Sequence, residues 1–149
     1  MKSFIALAVL LPSLGFACPN LAGHYYNCHS EIRPIKGDYK VEQYNVQGTE
    51  VYEVRYTDED GDTQDEVFKT DGQIVRKKQT IPTIGIKVLV EASATCSGEN
   101  VISNGKAFYL GSNVGNYSTT IFKKDGILNM KINAQYLGKN LVKLIQCRE

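Results

Sequence analysis

Apolar and polar residues alternate with period two along several stretches of the chain. The longest stretch runs from Ile84 to Cys96, where every second residue is apolar and Leu89 is the one apolar residue on the opposite face. Two further stretches cover Tyr52–Tyr56 and Leu128–Tyr136. Because successive side chains of a β-strand point to opposite faces, each stretch predicts a strand with one buried face and one face in water. This pattern is typical of antiparallel sheets.

Turn-forming dipeptides separate these stretches. Most predict hairpin connections because their residues tolerate positive φ, and Asn104-Gly105 is also a candidate for a β-bulge inside a strand. The dipeptides are Asp60-Gly61, Asp71-Gly72, Ser97-Gly98, Asn104-Gly105, Asp125-Gly126 and Leu137-Gly138. No long segment has helical period, so we expect about eight to ten short strands in one antiparallel up-and-down meander. The fold class is therefore all-β, either a closed barrel, which we favour, or a β-sandwich.

The first 17 residues have the order of a secretory signal peptide. Lys2 is followed by the apolar run 4–11, and Gly15 and Ala17 are the small residues that signal peptidase recognises. The run is too short to cross a bilayer, which takes roughly 20 residues as a helix. We expect cleavage after Ala17, no membrane span, and a single mature domain over residues 18–149. A lipid-modified Cys18 is disfavoured because Gly15 stands where lipoprotein signals prefer a Leu-like residue.

Four cysteines follow the predicted cleavage site, and an even set predicts disulfides in an oxidising compartment, the periplasm or the exterior. Four cysteines allow three pairings, and the sequence does not choose among them. We expect Cys18–Cys28, which closes a short loop, and Cys96–Cys147, which ties a central strand to the last one. Disulfides account for these residues better than a nucleophilic role does.

The predicted mature chain is electrically neutral. Removal of the signal takes away Lys2, one of 17 basic residues, and none of the 16 acidic residues. A neutral chain with scattered charges has no electrostatic footprint for nucleic acid or for an anionic membrane. We therefore expect no nucleic-acid partner.

Candidate sites for metal or catalysis fail on spacing. His24 and His29 are five residues apart, so on a regular strand they lie on opposite faces and cannot share one site without a bulge between them. The acidic segment 58–62 would need a glycine at 63 and a glutamate at 69 to match a calcium loop, but these positions hold Thr63 and Lys69. Motifs of hydrolases and phosphate-binding loops are absent from the sequence. We predict no enzymatic activity, no metal and no cofactor.

Aromatic and sulfur side chains on the predicted buried faces are the remaining feature. Tyr52, Tyr56, Met130 and Tyr136 fall on those faces. A barrel interior lined by such residues suits a small apolar or amphipathic ligand. The alternative is that they simply fill the core of a small barrel.

The segment Leu21-Ala22-Gly23-His24-Tyr25 resembles the Gly-x-Trp motif that opens the first strand of lipocalins and their calycin relatives, with Tyr25 in the tryptophan position. The resemblance implies that Tyr25 closes the base of a barrel, that Arg148 near the chain end packs over it, and that a ligand is carried in the centre. Tyr25 therefore joins the candidate ligand-binding residues.

Two functional hypotheses follow. The first is a non-enzymatic extracytoplasmic protein that binds a small apolar or amphipathic molecule inside a barrel. The second is an interaction module for a protein or cell-envelope partner. Its candidate surfaces are the acidic tip Asp58–Glu66 and the loop Gly111–Asn116.

Overall fold

The computed structural model describes residues 18–31, 35–81 and 86–149, and it is built of β-strands without helices in those parts. The predicted signal peptide, residues 1–17, lies outside the described residues. The strands are β1 (Gly23–Ser30), β2 (Gly37–Val46), β3 (Thr49–Asp58), β4 (Thr63–Lys69), β5 (Val75–Ile81), β6 (Ile86–Ser97), β7 (Asn100–Tyr109), β8 (Ser112–Lys124), β9 (Ile127–Tyr136) and β10 (Lys139–Arg148). The all-β prediction is confirmed.

All ten strands form one antiparallel up-and-down sheet with the order β4-β3-β2-β1-β10-β9-β8-β7-β6-β5. The first and last strands are therefore neighbours in its middle, and β4 and β5, which follow each other in sequence, are its edges. The sheet curls into a half-barrel. We call the end that carries Cys18 and Glu149 the closed end. The hairpins β3–β4, β5–β6, β7–β8 and β9–β10 lie at the other end, which we call the open end.

The two edge strands approach each other across a gap that we call the seam. Near the closed end the β4–β5 loop crosses to β6, where Asp71 forms a bridge with Thr95 and the Gly72 amide donates to the Ala94 carbonyl at 2.9 Å. Farther up the seam, Lys77 Nζ of β5 lies 3.8 Å from Glu66 Oε1 of β4. The seam is therefore held by backbone hydrogen bonds near the closed end and by a side-chain contact nearer the open end.

The core runs along the inner face and is densest at the closed end. Alternation explains it, because every second residue of β3, β6 and β9 points inward. The side chains with at most 1% exposure in this cluster are Leu21, Tyr25, Tyr52, Val101, Leu128 and Cys147. The N-terminal segment before β1 thus packs into the floor of the half-barrel.

The strands predicted from alternation are confirmed in β3, β6 and β9, although Ile84 lies outside the described residues. Asn104-Gly105 forms no bulge: both residues pair regularly with β6 and β8. The register shifts instead near Asn27 in β1, which has φ 49°, and between Ala107 and Phe108 in β7.

The expected disulfide pairing is wrong, although all four cysteines are bonded. The bonds are Cys18–Cys96 and Cys28–Cys147. Because β1 lies beside β10, Cys28 and Cys147 come within 4.1 Å between their Cα atoms. Cys18 precedes β1 and reaches across the closed end to the last part of β6, where its Cα lies 5.3 Å from that of Cys96. Two structural disulfides indicate an oxidising, extracytoplasmic environment.

Candidate functional site

Tyr25 closes the base of the half-barrel. It is fully buried, and its hydroxyl donates to the Leu21 carbonyl at 2.7 Å. Burial raises the pKa of Tyr25, and the nearby Lys123 ammonium opposes this shift. Lys123 Nζ lies 5.6 Å from the ring centroid and 2.6 Å from a Glu149 carboxylate oxygen. The cation over this ring is therefore Lys123, not the expected Arg148, which is exposed on β10.

Tyr52 fastens the N-terminal segment to the same floor. Its hydroxyl donates to the Pro19 carbonyl at 2.6 Å and accepts from Gln43 Nε2 at 3.3 Å. The oxygen of the Gln43 amide accepts from the Leu21 backbone at 3.0 Å. Burial raises the pKa of Tyr52 to about 12. Tyr25 and Tyr52 thus pack the base and do not line an open space.

An interior cavity of about 530 Å³ lies above this base. One wall is apolar and contains both Met130 and the edge-strand residue Phe68. The apolar lining residues are Val54, Phe68, Ile121, Met130, Ile132 and Ile145. Tyr39 and Tyr56 line it too, with ring centroids 4.9 Å apart. Of the five candidate ligand-binding residues, Tyr56 and Met130 are the two that reach this cavity.

The opposite side of the cavity is polar and faces the seam. Glu66 and Lys77 line it, and their side chains are 47% and 43% exposed, so this side is open to water. Burial raises the pKa of Tyr39 to about 12, and Tyr56 and the Glu66 carboxylate add to the shift. Burial also raises the pKa of Tyr117 to about 12, again with a contribution from Glu66. The Glu66 carboxylate therefore contributes to the raised pKa of two tyrosines, and it lies beside the Lys77 ammonium.

Tyr136, the fifth candidate, stands apart from the cavity. It is the last residue of β9 at the open end and is half-buried. Its ring lies over Gly115, where a Cβ atom would come 3.0 Å from Tyr136 Cδ2. Tyr136 therefore packs against the Gly115 backbone, which is accessible because glycine has no side chain.

A second depression, of about 660 Å³, lies along β7–β10. Its lining is mostly exposed, and Leu141 and Val142 on β10 are 51% and 57% exposed. Lys106 is its one charged lining residue in the described chain. This depression is a shallow surface feature, whereas the interior cavity combines an apolar wall with charged groups.

Sequence reasoning missed Lys77 and Tyr39, and it assigned Glu66 to the acidic tip Asp58–Glu66 and not to a cavity. The two edge strands read Thr-Gln-Asp-Glu-Val-Phe-Lys and Val-Arg-Lys-Lys-Gln-Thr-Ile, without apolar alternation. The available signal was parity: Glu66 shares a face with Phe68, and Lys77 shares one with Val75. That parity becomes informative only once both strands are known to border the same cavity.

The two histidines share the outer face, because the irregularity at Asn27 shifts the alternation between them. Tyr25 and Cys28 are both buried, although they are three residues apart, and His24, Tyr26 and His29 are exposed. His24 Nε2 pairs with the Asp38 carboxylate, and Nδ1 is hydrogen-bonded to the Tyr26 hydroxyl at 2.6 Å. No group of three metal-ligating side chains occurs among the described residues.

The acidic β3–β4 tip is organised by its own side chains. Asp58 Oδ1 accepts from the amides of Asp60 and Asp62 at 3.0 and 2.9 Å. Arg55 donates two hydrogen bonds to Asp65, of 2.7 and 3.2 Å, and this contact lowers the pKa of the Asp65 carboxyl. Asp58 therefore stabilises the turn, and Asp65 forms an ion pair between β3 and β4.

Comparison with known proteins finds no matching family model, no similar curated protein and no similar solved structure. In the described parts of the chain, no helix is long and apolar enough to cross a membrane. The geometry of the interior cavity is therefore the basis for the function proposed next.

Proposed function

We propose that this protein is a non-enzymatic carrier, secreted or periplasmic, which holds a small amphipathic molecule inside a lipocalin-like half-barrel. The observation that carries the proposal is the two-sided cavity of about 530 Å³. Its volume is in the range of small-molecule sites, roughly 300 to 1,000 Å³. An apolar wall opposite a few polar groups is the usual composition of such sites.

The polar side defines the class of ligand. Glu66 offers a carboxylate, Lys77 an ammonium, and Tyr39 a hydroxyl that is protonated at neutral pH. The ligand's apolar part would lie against Met130 and Ile132, and its head would face the seam. We therefore propose a molecule with a short apolar body and a head that both donates and accepts hydrogen bonds.

Two further features support a carrier outside the cytoplasm. The disulfides Cys18–Cys96 and Cys28–Cys147 hold the base and the β1–β10 junction in an oxidising compartment. The base itself, with Tyr25 between the N-terminal segment and Lys123, resembles the aromatic closure implied by the lipocalin motif.

The first test is native mass spectrometry on the mature protein purified from its own host with disulfides intact. The carrier hypothesis predicts a reproducible extra mass that leaves on denaturation. The measured mass difference itself characterises the bound molecule, so no candidate ligand has to be chosen beforehand. A bare protein would weigh against retention of a tightly held molecule.

A second test uses the neutral fluorescent probe N-phenyl-1-naphthylamine. Thr119 lines the cavity, and its neighbour Thr120 points to the outer face of β8. Thr119→Phe fills the cavity and is expected to weaken probe binding about tenfold or more, a free-energy loss of about 1.4 kcal/mol. Thr120→Phe, the matched control, should bind like the wild type. Absence of probe binding by the wild type together with a bare native mass would refute the proposal.

A further inference from the structure

Two hairpin tips at the open end carry exposed leucines in a conformation that leucine adopts with difficulty. Leu110 has φ 48° and is 88% exposed, and Leu137 has φ 47° and is 69% exposed. The equivalent turn positions at the closed end hold Gln47 and Asp125, with φ 52° each. Asn or Gly would fit this left-handed region at lower cost. Neither core packing nor turn chemistry accounts for leucine at the two open-end tips.

An apolar depression with lysines at its margin adjoins one of these tips. It has a volume of about 450 Å³ and lies on the outer face of β5–β7. Leu89, the residue that interrupts the alternation of β6, pairs with Phe108 on one side and with Lys78 on the other. The lining consists of Lys78, Lys87, Val88, Leu89, Glu91, Phe108, Leu110 and Gly111. We call Lys78, Lys87, Leu89, Phe108 and Leu110 the basic tip surface.

The lysines of this surface are available to an external anion. None of the ion pairs formed by the described residues includes Lys78 or Lys87. Glu91, the one carboxylate in the depression, is held by Arg76 Nε at 2.7 Å. Lys87 lies level with Leu110, because Leu89 pairs with Phe108 in an antiparallel register and these residues stand two after Lys87 and two before Leu110. A cation and a projecting apolar side chain therefore stand side by side.

Charge is separated across the open end, although the mature chain is neutral. From β5 onward the sequence contains four acidic residues, and three of them, Glu99, Asp125 and Glu149, lie at the closed end. Lysines dominate the opposite half of the same strands: Lys77, Lys78, Lys87, Lys106, Lys139 and Lys143. The acidic tip 58–62 lies at the same end, across the seam from β5. The expectation of scattered charge, drawn from composition alone, is therefore incomplete.

We propose that the basic tip surface and the Leu137 tip dock the protein on an anionic lipid bilayer. The two leucines are exposed at the tips of separate hairpins, so each side chain can insert into the interfacial region of a bilayer by itself. The lysines supply attraction to anionic headgroups, and the leucines supply apolar area that enters the interface. Docking uses the hairpin tips and the outer face of β5–β7; of the basic tip surface, Lys78 also borders the interior cavity, whereas Lys87, Leu89, Phe108 and Leu110 do not line it.

Vesicle co-sedimentation of the mature protein tests this proposal. Extruded phosphatidylcholine vesicles are compared with vesicles containing about 30 mol % phosphatidylglycerol, at low ionic strength and at about 0.5 M salt. The wild type is expected to bind the anionic vesicles at low salt and to be released by salt. Failure to bind them, or equal binding to both kinds of vesicle, would overturn the proposal.

Two double variants separate the apolar and the ionic contributions. Leu110→Asn with Leu137→Asn places a residue that tolerates positive φ at each tip, so the fold is kept while the two exposed apolar side chains are removed. Lys78→Gln with Lys87→Gln removes two cations. Each double variant is expected to lower vesicle affinity about tenfold, and Gln47→Asn, the same turn position at the closed end, should leave it unchanged. Unchanged affinity of the leucine variant, with its folding verified by denaturation, would refute docking through the tips.

Discussion

Gly105 of β7 lies directly beneath the ring of Tyr117 on β8, its register partner. A Cβ atom at Gly105 would come 2.3 Å from Tyr117 Cε1, closer than any relaxed packing allows. The ring therefore covers the backbone that the missing side chain exposes, and its hydroxyl stays on the inner face near Ser103 and Glu66. Because Gly105 has no side chain, the Tyr117 ring can lie against its backbone with the hydroxyl on the inner face.

Gly105→Ala tests this relationship. The added methyl group must displace the Tyr117 ring, and overpacking of this kind costs about 1 to 3 kcal/mol. Urea denaturation of the variant should show a midpoint shift of that size without a change in slope. Tyr117→Leu combined with Gly105→Ala should recover part of the loss, since a leucine leaves room for the methyl group. Equal stability of Gly105→Ala and the wild type would contradict the proposed contact.

The disulfide pairing gives a second prediction. Peptide mapping under non-reducing conditions should recover Cys18 linked to Cys96 and Cys28 linked to Cys147. The sequence separations are 78 and 119 residues, so the chain-entropy model assigns each bond about 4 to 5 kcal/mol. Replacing either pair by serine is expected to lower the free energy of unfolding by an amount of that order. A peptide joining Cys18 to Cys28 would contradict the structure.

Buried tyrosines make stability fall at alkaline pH. The pKa values of Tyr39, Tyr52 and Tyr117 are raised to about 12, above the value near 10 in the unfolded chain. Between pH 10 and 12 the unfolded chain releases protons that the folded chain retains, so the free energy of unfolding decreases as pH rises. Below pH 10 these groups contribute no pH dependence.

Absorbance at the tyrosinate band checks this third prediction. The titration of the nine tyrosines should contain a late phase that coincides with unfolding. Tyr39→Phe should reduce the amplitude of that phase by one residue. A single phase centred near pH 10, with the fold intact above it, would show that the three hydroxyls are accessible to water.

The cation over the base of the half-barrel gives a fourth prediction. Lys123→Met keeps the alkyl chain over Tyr25 but removes the ammonium that interacts with its ring and with Glu149. The expected loss of stability is about 1 kcal/mol, the size of a partly exposed cation–π contact. The matched control is Lys124→Met, because Lys124 is exposed on the next position of β8. Equal thermal midpoints for the two variants would argue against a role for Lys123.

Sequence patterning predicted those parts of the fold whose strands bury one face. β3, β6 and β9 alternate clearly, and hairpin chemistry located most of the turns. Patterning failed for β4 and β5 because both are largely exposed edge strands, and an exposed strand has no need of apolar alternation. Those two strands border the seam, so Glu66 and Lys77 of the candidate site could not be found from periodicity.

The disulfides and the base show a different limit. The register of β1 against β10 decides that Cys28 meets Cys147, and nothing local to either cysteine encodes that register. For Tyr25 the resemblance to the lipocalin motif indicated the buried position correctly. It did not identify the overlying cation, because Lys123 comes from β8, far from the chain end where the motif places a basic residue.

The strand order has a consequence for how the chain finds its fold. Every hydrogen-bonded strand pair except one joins strands that are consecutive in sequence, and the exception is β1 with β10. The chain therefore consists of two local meanders, β1–β4 and β5–β10, each able to form through short hairpin closures. Their union requires one encounter across nearly the whole length of the chain, which is the slow kind of contact in folding. The Cys28–Cys147 bond joins these same two strands. Its oxidation therefore locks the β1–β10 pairing, the one strand pairing that local hairpins do not form.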